Sequence, residues 1–290
     1  AIVLVLVYLW SFGRPLLQPV PVTDDHFWTQ VAQLMAQDDK NTASPRRVLP
    51  WGVNIFEQNL GMHLGLKSVF SYDPLEIQRY HRFTTYIEEP RARAYDLLGA
   101  RYLATSQETH YPDDPDAFQL LGTQNGVWLY ERPGAFPAAW LVHDVKIQED
   151  DTLLLAQLND PTFDPGHMAL LAHPLTCDLG QESEGDHVTI TQRQTNRLDL
   201  NVQTATGGLL VLSEVMYTGW HVSVDGKSAG ILQADFVLRA VCVPPGKHDV
   251  SFYFLPMTLL IGAGVTVLTC LLIVWAGFVH WRHRKRSREA

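Results

Sequence analysis

Leu259 to Val279 is a run of 21 residues without Asp, Glu, Lys or Arg, and its only polar side chains are Thr266, Thr269 and Cys270. A helix of that length is roughly 30 Å long, which matches the hydrocarbon core of a bilayer. A buried helix of a soluble core is the competing reading, and the flanks speak against it. Trp275 and Trp281 stand toward one end, where an aromatic belt sits. Arg282, Arg284, Lys285, Arg286 and Arg288 follow at once. Basic residues beside a span mark its cytoplasmic side, so the C-terminus is expected inside. The same cluster could serve nucleic-acid binding or nuclear targeting, but its place directly behind a span argues for membrane orientation.

Residues 1–12 form a second apolar run, too short to cross a bilayer as a helix. Neither a Met nor a basic segment precedes it, so it reads as the end of an earlier transmembrane helix rather than as a signal peptide. The segment between the two runs is then expected outside the cytoplasm. Charge is divided in the same way. The 290 residues carry 22 Lys+Arg against 31 Asp+Glu, a net −9. The last nine carry +4, which leaves −13 for residues 1–281. An acidic outer segment is not a surface for nucleic acid. The 46% hydrophobic and 18% charged composition excludes a disordered chain.

Between the spans the pattern changes once. Pro15, Pro19 and Pro21 stiffen the exit from the membrane. Thr23 can cap a helix with Phe27, Val31, Leu34 and Met35 on one face, and Asp24 and Asp25 suit its first turn. Arg47 to Leu49 predicts a strand, Pro74 to Ile87 a helix, Arg91 to Leu98 another with Gly99 as its stop, and Arg101 to Thr105 a strand. Leu120 to Glu131 predicts a hairpin turning at Asn125-Gly126. After a leucine-rich helix at Asp151–Leu158, short strands come in succession. These are Val188–Gln194, Arg197–Thr204, Leu209–Glu214, His221–Val224, Gly230–Gln233, Phe236–Val243 and Asp249–Phe254. Gly207-Gly208, Asp225-Gly226 and Pro245-Gly246 supply turns, and no room is left for crossover helices. The expected class is α+β: a mixed α/β unit, an antiparallel β-sandwich and one C-terminal transmembrane helix. The expected divisions are 1–14, the end of a transmembrane helix; 15–135, an α/β domain; 136–256, the sandwich; 257–281, the span; and 282–290, a basic tail.

Catalytic chemistry is hard to find. Twelve histidines form no His-Glu-x-x-His or zinc-spaced Cys/His set, and no nucleophile elbow, phosphate loop or dinucleotide fingerprint occurs. Neither a metal nor a cofactor is expected. His167 and His173 would share a face on a strand, with two solvated histidines as the plainer reading. Asp24-Asp25 is a paired carboxylate whose position in a helix first turn already accounts for it. Asp113, Asp114 and Asp116 read as a solvated loop. Cys177 and Cys242 could pair in an oxidising compartment or remain as two free thiols, since spacing alone does not set their separation. Tyr217, Trp220, Tyr72, Tyr80 and Trp51 could stack on sugar rings, and core packing is the competing role.

The string Tyr217-Thr218-Gly219-Trp220-His221-Val222-Ser223-Val224-Asp225-Gly226-Lys227, continued by Arg239 and Pro244-Pro245-Gly246-Lys247-His248, resembles the C-terminal outer domain of the YfhO family of bacterial membrane proteins. Tyr72-Asp73-Pro74-Leu75 with Arg79-Tyr80, and Leu97 to Leu103, are similar to two further blocks of that family. Ser71 stands where the family has glycine. The resemblance extends over residues 15–281 and singles out Tyr72, Asp73, Trp220 and Arg239 as candidate binding residues. It implies a polytopic plasma-membrane protein related to GT-C type glycosyltransferases, decorating cell-envelope polymers from an undecaprenyl-phosphate-linked sugar. The partners it implies are the lipid bilayer, that carrier-linked sugar, the envelope polymer and an N-terminal transmembrane domain of the same protein. The family's acidic catalytic residue lies in an earlier outer loop, so no catalytic role transfers to a position here. A non-catalytic scaffold that holds a sugar or a protein is the alternative from another class.

Overall fold

The computed structural model describes residues 2–14, 27–36, 46–52, 59–71, 75–109, 116–175 and 177–286. The expectations placed on Thr23, Asp24-Asp25, Pro74, Asp113 and Asp114 lie outside them. Two compact units are present. The first takes in residues 1–41, 46–72 and 102–133, and the second takes in 42–45, 73–101 and 134–290. The chain therefore leaves the first unit after residue 72 and returns to it at 102.

The first unit holds helices α1 (Ile2–Gly13) and α2 (Phe27–Ala36) and strands β1 (Arg47–Trp51), β2 (Lys67–Ser68), β3 (Tyr102–Thr105), β4 (Gln119–Gln124) and β5 (Val127–Glu131). The sheet order is β2-β1-β3-β5-β4, parallel from β2 to β3 and antiparallel beyond. The hairpin turns at Asn125-Gly126, with φ +48° and +78°, the twist that a two-residue loop requires. One face of α2 (Trp28, Val31, Leu34 and Met35) packs on Val48, Tyr102, Ala104 and Leu129. Gly61 lies so close to the Trp28 ring that a Cβ would stand 2.8 Å from it.

The second unit begins with α3 (Gln78–Tyr86) and α4 (Ala94–Leu97). Helix α3 starts later than the expected Pro74, with Ile77 extended at its N-cap. Gly99 ends the next helix with φ +61°. Strands β6 (Ala139–Val142) and β7 (Asp144–Ile147), helix α5 (Asp151–Leu158) and β8 (Met168–Leu171) follow. Asp150 caps α5 by accepting from the Thr152 and Leu153 amides. Then come β9 (His187–Gln194), β10 (Arg197–Thr204), β11 (Gly208–Val215), β12 (Trp220–Val224), β13 (Lys227–Ala229), β14 (Leu232–Ala234), β15 (Leu238–Val243), β16 (Gly246–Phe254) and α6 (Met257–Arg286).

Two sheets form the sandwich, with orders β13-β12-β16-β10-β9 and β6-β11-β15-β14-β8-β7. Within these two sheets all described pairings are antiparallel except β7 with β8, which α5 connects as a crossover. The expected strand Gly230–Gln233 is replaced by β13 and β14, which belong to different sheets. Gly230 and Ile231 carry the chain from one sheet to the other, so no single ladder can hold them. Between the sheets lie Leu198, Leu200, Val222, Val250 and Phe252 from one side and Leu210, Leu212, Val241 and Val243 from the other. Cys177 and Cys242 form a disulfide that ties the segment after β8 to β15, with Cα atoms 6.4 Å apart. On the other side of the six-stranded sheet, Phe83 of α3 stacks on Phe236, centroids 6.5 Å apart. Arg79 donates to the Phe236 carbonyl at 2.6 Å and lies over its ring. Arg79 also pairs with Asp151 of α5 at 2.9 Å. Residues Met257–Val279 of α6 are long and apolar enough to cross a membrane and are not buried among the described residues.

Candidate functional site

The turn before β12 is built around Gly219, whose φ is +99°. A Cβ there would stand 3.0 Å from the Phe254 ring and 3.1 Å from Pro256, so only glycine lets β12 start against the end of β16. Trp220 then faces Phe254 at a centroid distance of 5.4 Å. At the other end of β12, Asp225 and Gly226 turn with φ +51° and +74°. One carboxylate oxygen of Asp225 accepts from the Asp249 amide at 2.9 Å, and the other lies 2.7 Å from His248 Nδ1. His248 Nε2 faces the Pro245 carbonyl at 3.1 Å. A carbonyl only accepts, so that nitrogen carries hydrogen, and both ring nitrogens meet acceptors that favour the imidazolium. The hydrogen bond to Asp225 accordingly raises the pKa of His248, and the same bond lowers that of Asp225.

Trp220 and Arg239 come together. The Arg239 guanidinium carbon lies 3.8 Å from the Trp220 ring centroid, with only 4% of the Arg239 side chain exposed. Glu214 lies 3.5 Å from Arg239 and 3.5 Å from Arg193. Trp220 and Arg193 belong to one sheet and Glu214 and Arg239 to the other, so this cluster closes one end of the sandwich interior. Arg239 is desolvated beneath the Trp220 ring while Glu214 and Arg193 stay partly exposed, and burial of the cation strengthens a cation–π contact. Tyr72 and Asp73, the other two candidates, lie outside the described residues.

Arg193 connects the cluster to a cleft of about 900 Å³. Strands β6 and β9 are the edges of their respective sheets, and the cleft runs between them. Ala139, Leu141, Val188 and Ile190 face the sandwich core here and form an apolar floor. Arg193 stands at one end. His143, Glu182, Glu184, Asp186 and His187 surround the other. His143 Nε2 is 2.8 Å from Asp186, and about a tenth of each side chain is exposed. Burial works against the Asp186 charge, but the Ser183 and Ala205 amides and His143 outweigh it and lower its pKa. A second perturbed carboxyl lies elsewhere: burial pushes Asp235 up to about 7, although it accepts from the Leu170 amide.

Sequence reading missed Arg193, Glu214 and the His143–Asp186 pair. Alternation from Val188 and Ile190 turns position 192 inward. A bulge at Thr191 resets the register, so that Arg193 pairs with the inward-facing Leu198. The aromatic candidates Tyr80 and Trp51 pack on Phe83 and Phe70. His167 bonds Asp164 at 2.9 Å and precedes β8, while His173 follows that strand. Among the described residues no cluster of three or more His, Cys, Asp or Glu is placed to hold a metal ion.

No curated protein and no solved structure matches the chain. Residues 180–266 match the sequence model of the family described as "Bacterial membrane protein YfhO". The matched stretch runs from just before β9 into α6 and contains the Gly219–Trp220 turn, the Asp225–His248 clamp and the whole Arg193–Glu214–Arg239 cluster. The Tyr72–Tyr80 and Leu97–Leu103 blocks fall outside it. Over these residues, somewhat under a third of its length, the chain is similar to the bacterial membrane protein family YfhO.

Proposed function

We propose that the second unit is an extracytoplasmic acceptor-holding module of a YfhO-family membrane protein. It supports glycosyl transfer from a lipid-linked donor to cell-envelope polymers and performs no chemistry of its own. The observation that carries this reading is the cleft between β6 and β9. It has an apolar floor with convergent polar groups at both ends, a volume within the range of small-molecule sites, and a basic end at Arg193. The disulfide supports the outer location, because such bonds persist in oxidising compartments. The basic residues after the span support it independently. The acidic lip suits a zwitterionic or hydroxyl-rich acceptor better than a polyanion.

The test is glycan incorporation into the envelope by cells that lack the complete gene and are complemented with variants of it. Arg193→Ala and Glu184→Ala are expected to lower incorporation by roughly tenfold while the protein still inserts and retains its melting temperature. Wild-type incorporation by both variants would dismiss the cleft as the holding site. Equal incorporation with and without the gene would dismiss the transfer reading and leave a scaffold role.

A further inference from the structure

Strand β16 ends at Phe254 and α6 begins at Met257, so Leu255 and Pro256 alone join the sandwich to the membrane helix. That connector is held in place. The Leu255 amide donates to the Gly219 carbonyl at 2.7 Å, the His221 ring lies 3.2 Å from the Leu255 carbonyl, and Gly219 packs on Pro256. The Tyr217 ring stacks on Phe254, centroids 6.4 Å apart. The β9–β10 turn reaches the same level, since the Phe254 amide donates to the Asn196 carbonyl at 2.9 Å.

Distances then leave little freedom. Gly219 touches Pro256 and Asn196 touches Phe254, so at about 3.8 Å per residue both turns stand within roughly 15 Å of Met257, where the span begins. The headgroup layer on each side of the hydrocarbon core is itself about 5–8 Å thick. Side chains at this end suit such a layer. Tyr217 and Leu255 are 49% and 42% exposed, although large and apolar in body. Tyr253 and His221 stack beside them at 5.4 Å, and Arg197 pairs in register with Tyr253. Tyrosine and arginine of this kind present an apolar body and a polar tip, as interfacial residues do.

We propose that this end of the sandwich, formed by the Tyr217–Gly219 turn, the β9–β10 turn and Leu255, docks into the phospholipid headgroup layer of the bilayer that α6 enters. The domain is then seated on the membrane rather than tethered above it. The occupant is lipid because the surface is continuous with the start of the transmembrane helix.

Spin labels at Thr218→Cys and Asn196→Cys test this, with Ser228→Cys as control. All are made in the full chain with Cys270→Ala and the Cys177–Cys242 disulfide intact, reconstituted in phospholipid nanodiscs. Ser228 lies on β13 opposite Ser223, near the far end of β12 and about 10 Å along the strand from Trp220. Relaxation by oxygen is expected to exceed relaxation by an aqueous nickel chelate several-fold at Thr218 and Asn196, and the order is expected to reverse at Ser228. Labels at Thr218 and Asn196 that relax as Ser228 does would overturn the docking. So would labels shielded from both agents, which would mean that protein covers this end. Neither result bears on the transfer reading, which is assayed separately.

Discussion

Arg239 lies face-on to Trp220, its guanidinium carbon 3.8 Å from the ring centroid, and the two residues come from different sheets of the sandwich. The contact explains why a tryptophan suited to sugar stacking is also a packing residue: one face is occupied by Arg239, and the ring also packs at a tilt on Phe254. Trp220→Ala is expected to cost roughly 3 kcal/mol, because it removes large packed surface and uncovers a desolvated cation. Arg239→Met keeps the volume and removes the charge, so it is expected to be milder than Arg239→Ala. Denaturant melts of the three variants in detergent check the order. Wild-type stability of Trp220→Ala together with lost glycan incorporation would make Trp220 a binding residue instead.

The Asp225–His248 clamp gives a pH dependence with a defined sign. His248 is raised above its ordinary 6.5, so its contribution is complete below that value and is lost as pH rises through the higher folded value. Asp225 is lowered below 3.8, so its contribution is complete above 3.8 and is lost as pH falls through the folded value. The clamp is therefore at full strength between about pH 4 and 6.5. An NMR titration of His248 should inflect above 6.5, and Asp225→Asn should bring the inflection down. An unchanged midpoint in that variant would refute the pairing.

The disulfide closes a sequence separation of 65 residues, for which loop-closure entropy gives about 4 kcal/mol. Cys242→Ser is expected to lower the unfolding free energy by that order. Reductant is expected to do the same to the wild type and to add nothing in the variant. Cys270, in the membrane helix, serves as control: Cys270→Ser should leave the melt unchanged. The measurement is urea unfolding with and without dithiothreitol.

Much of the fold was legible along the chain. Helix α6 needs only uniform apolarity and length, and α2, α5, β9, β10 and the Asn125-Gly126 and Asp225-Gly226 turns each follow from a short-range pattern or a positive φ. Strands β6 and β8 were not legible, because Ala139–Val142 and Met168–Leu171 are short continuous apolar runs that fit a strand or a buried helix equally. The candidate site was half visible. Trp220 and Arg239 stood out through the family string, while Arg193 and the His143–Asp186 pair carried no signal.

The amino-acid order alone determined that α6 is long and apolar enough to cross a membrane, where the chain turns, and which face of each alternating strand is apolar, since all of these depend on neighbours a few residues away. Only the tertiary structure decided that residues 73–101 join the second unit, that Cys177 meets Cys242, that a bulge turns Arg193 inward, and that two sheet edges face each other across a cleft. These depend on which distant strand supplies the ladder, and a periodic pattern does not encode a partner.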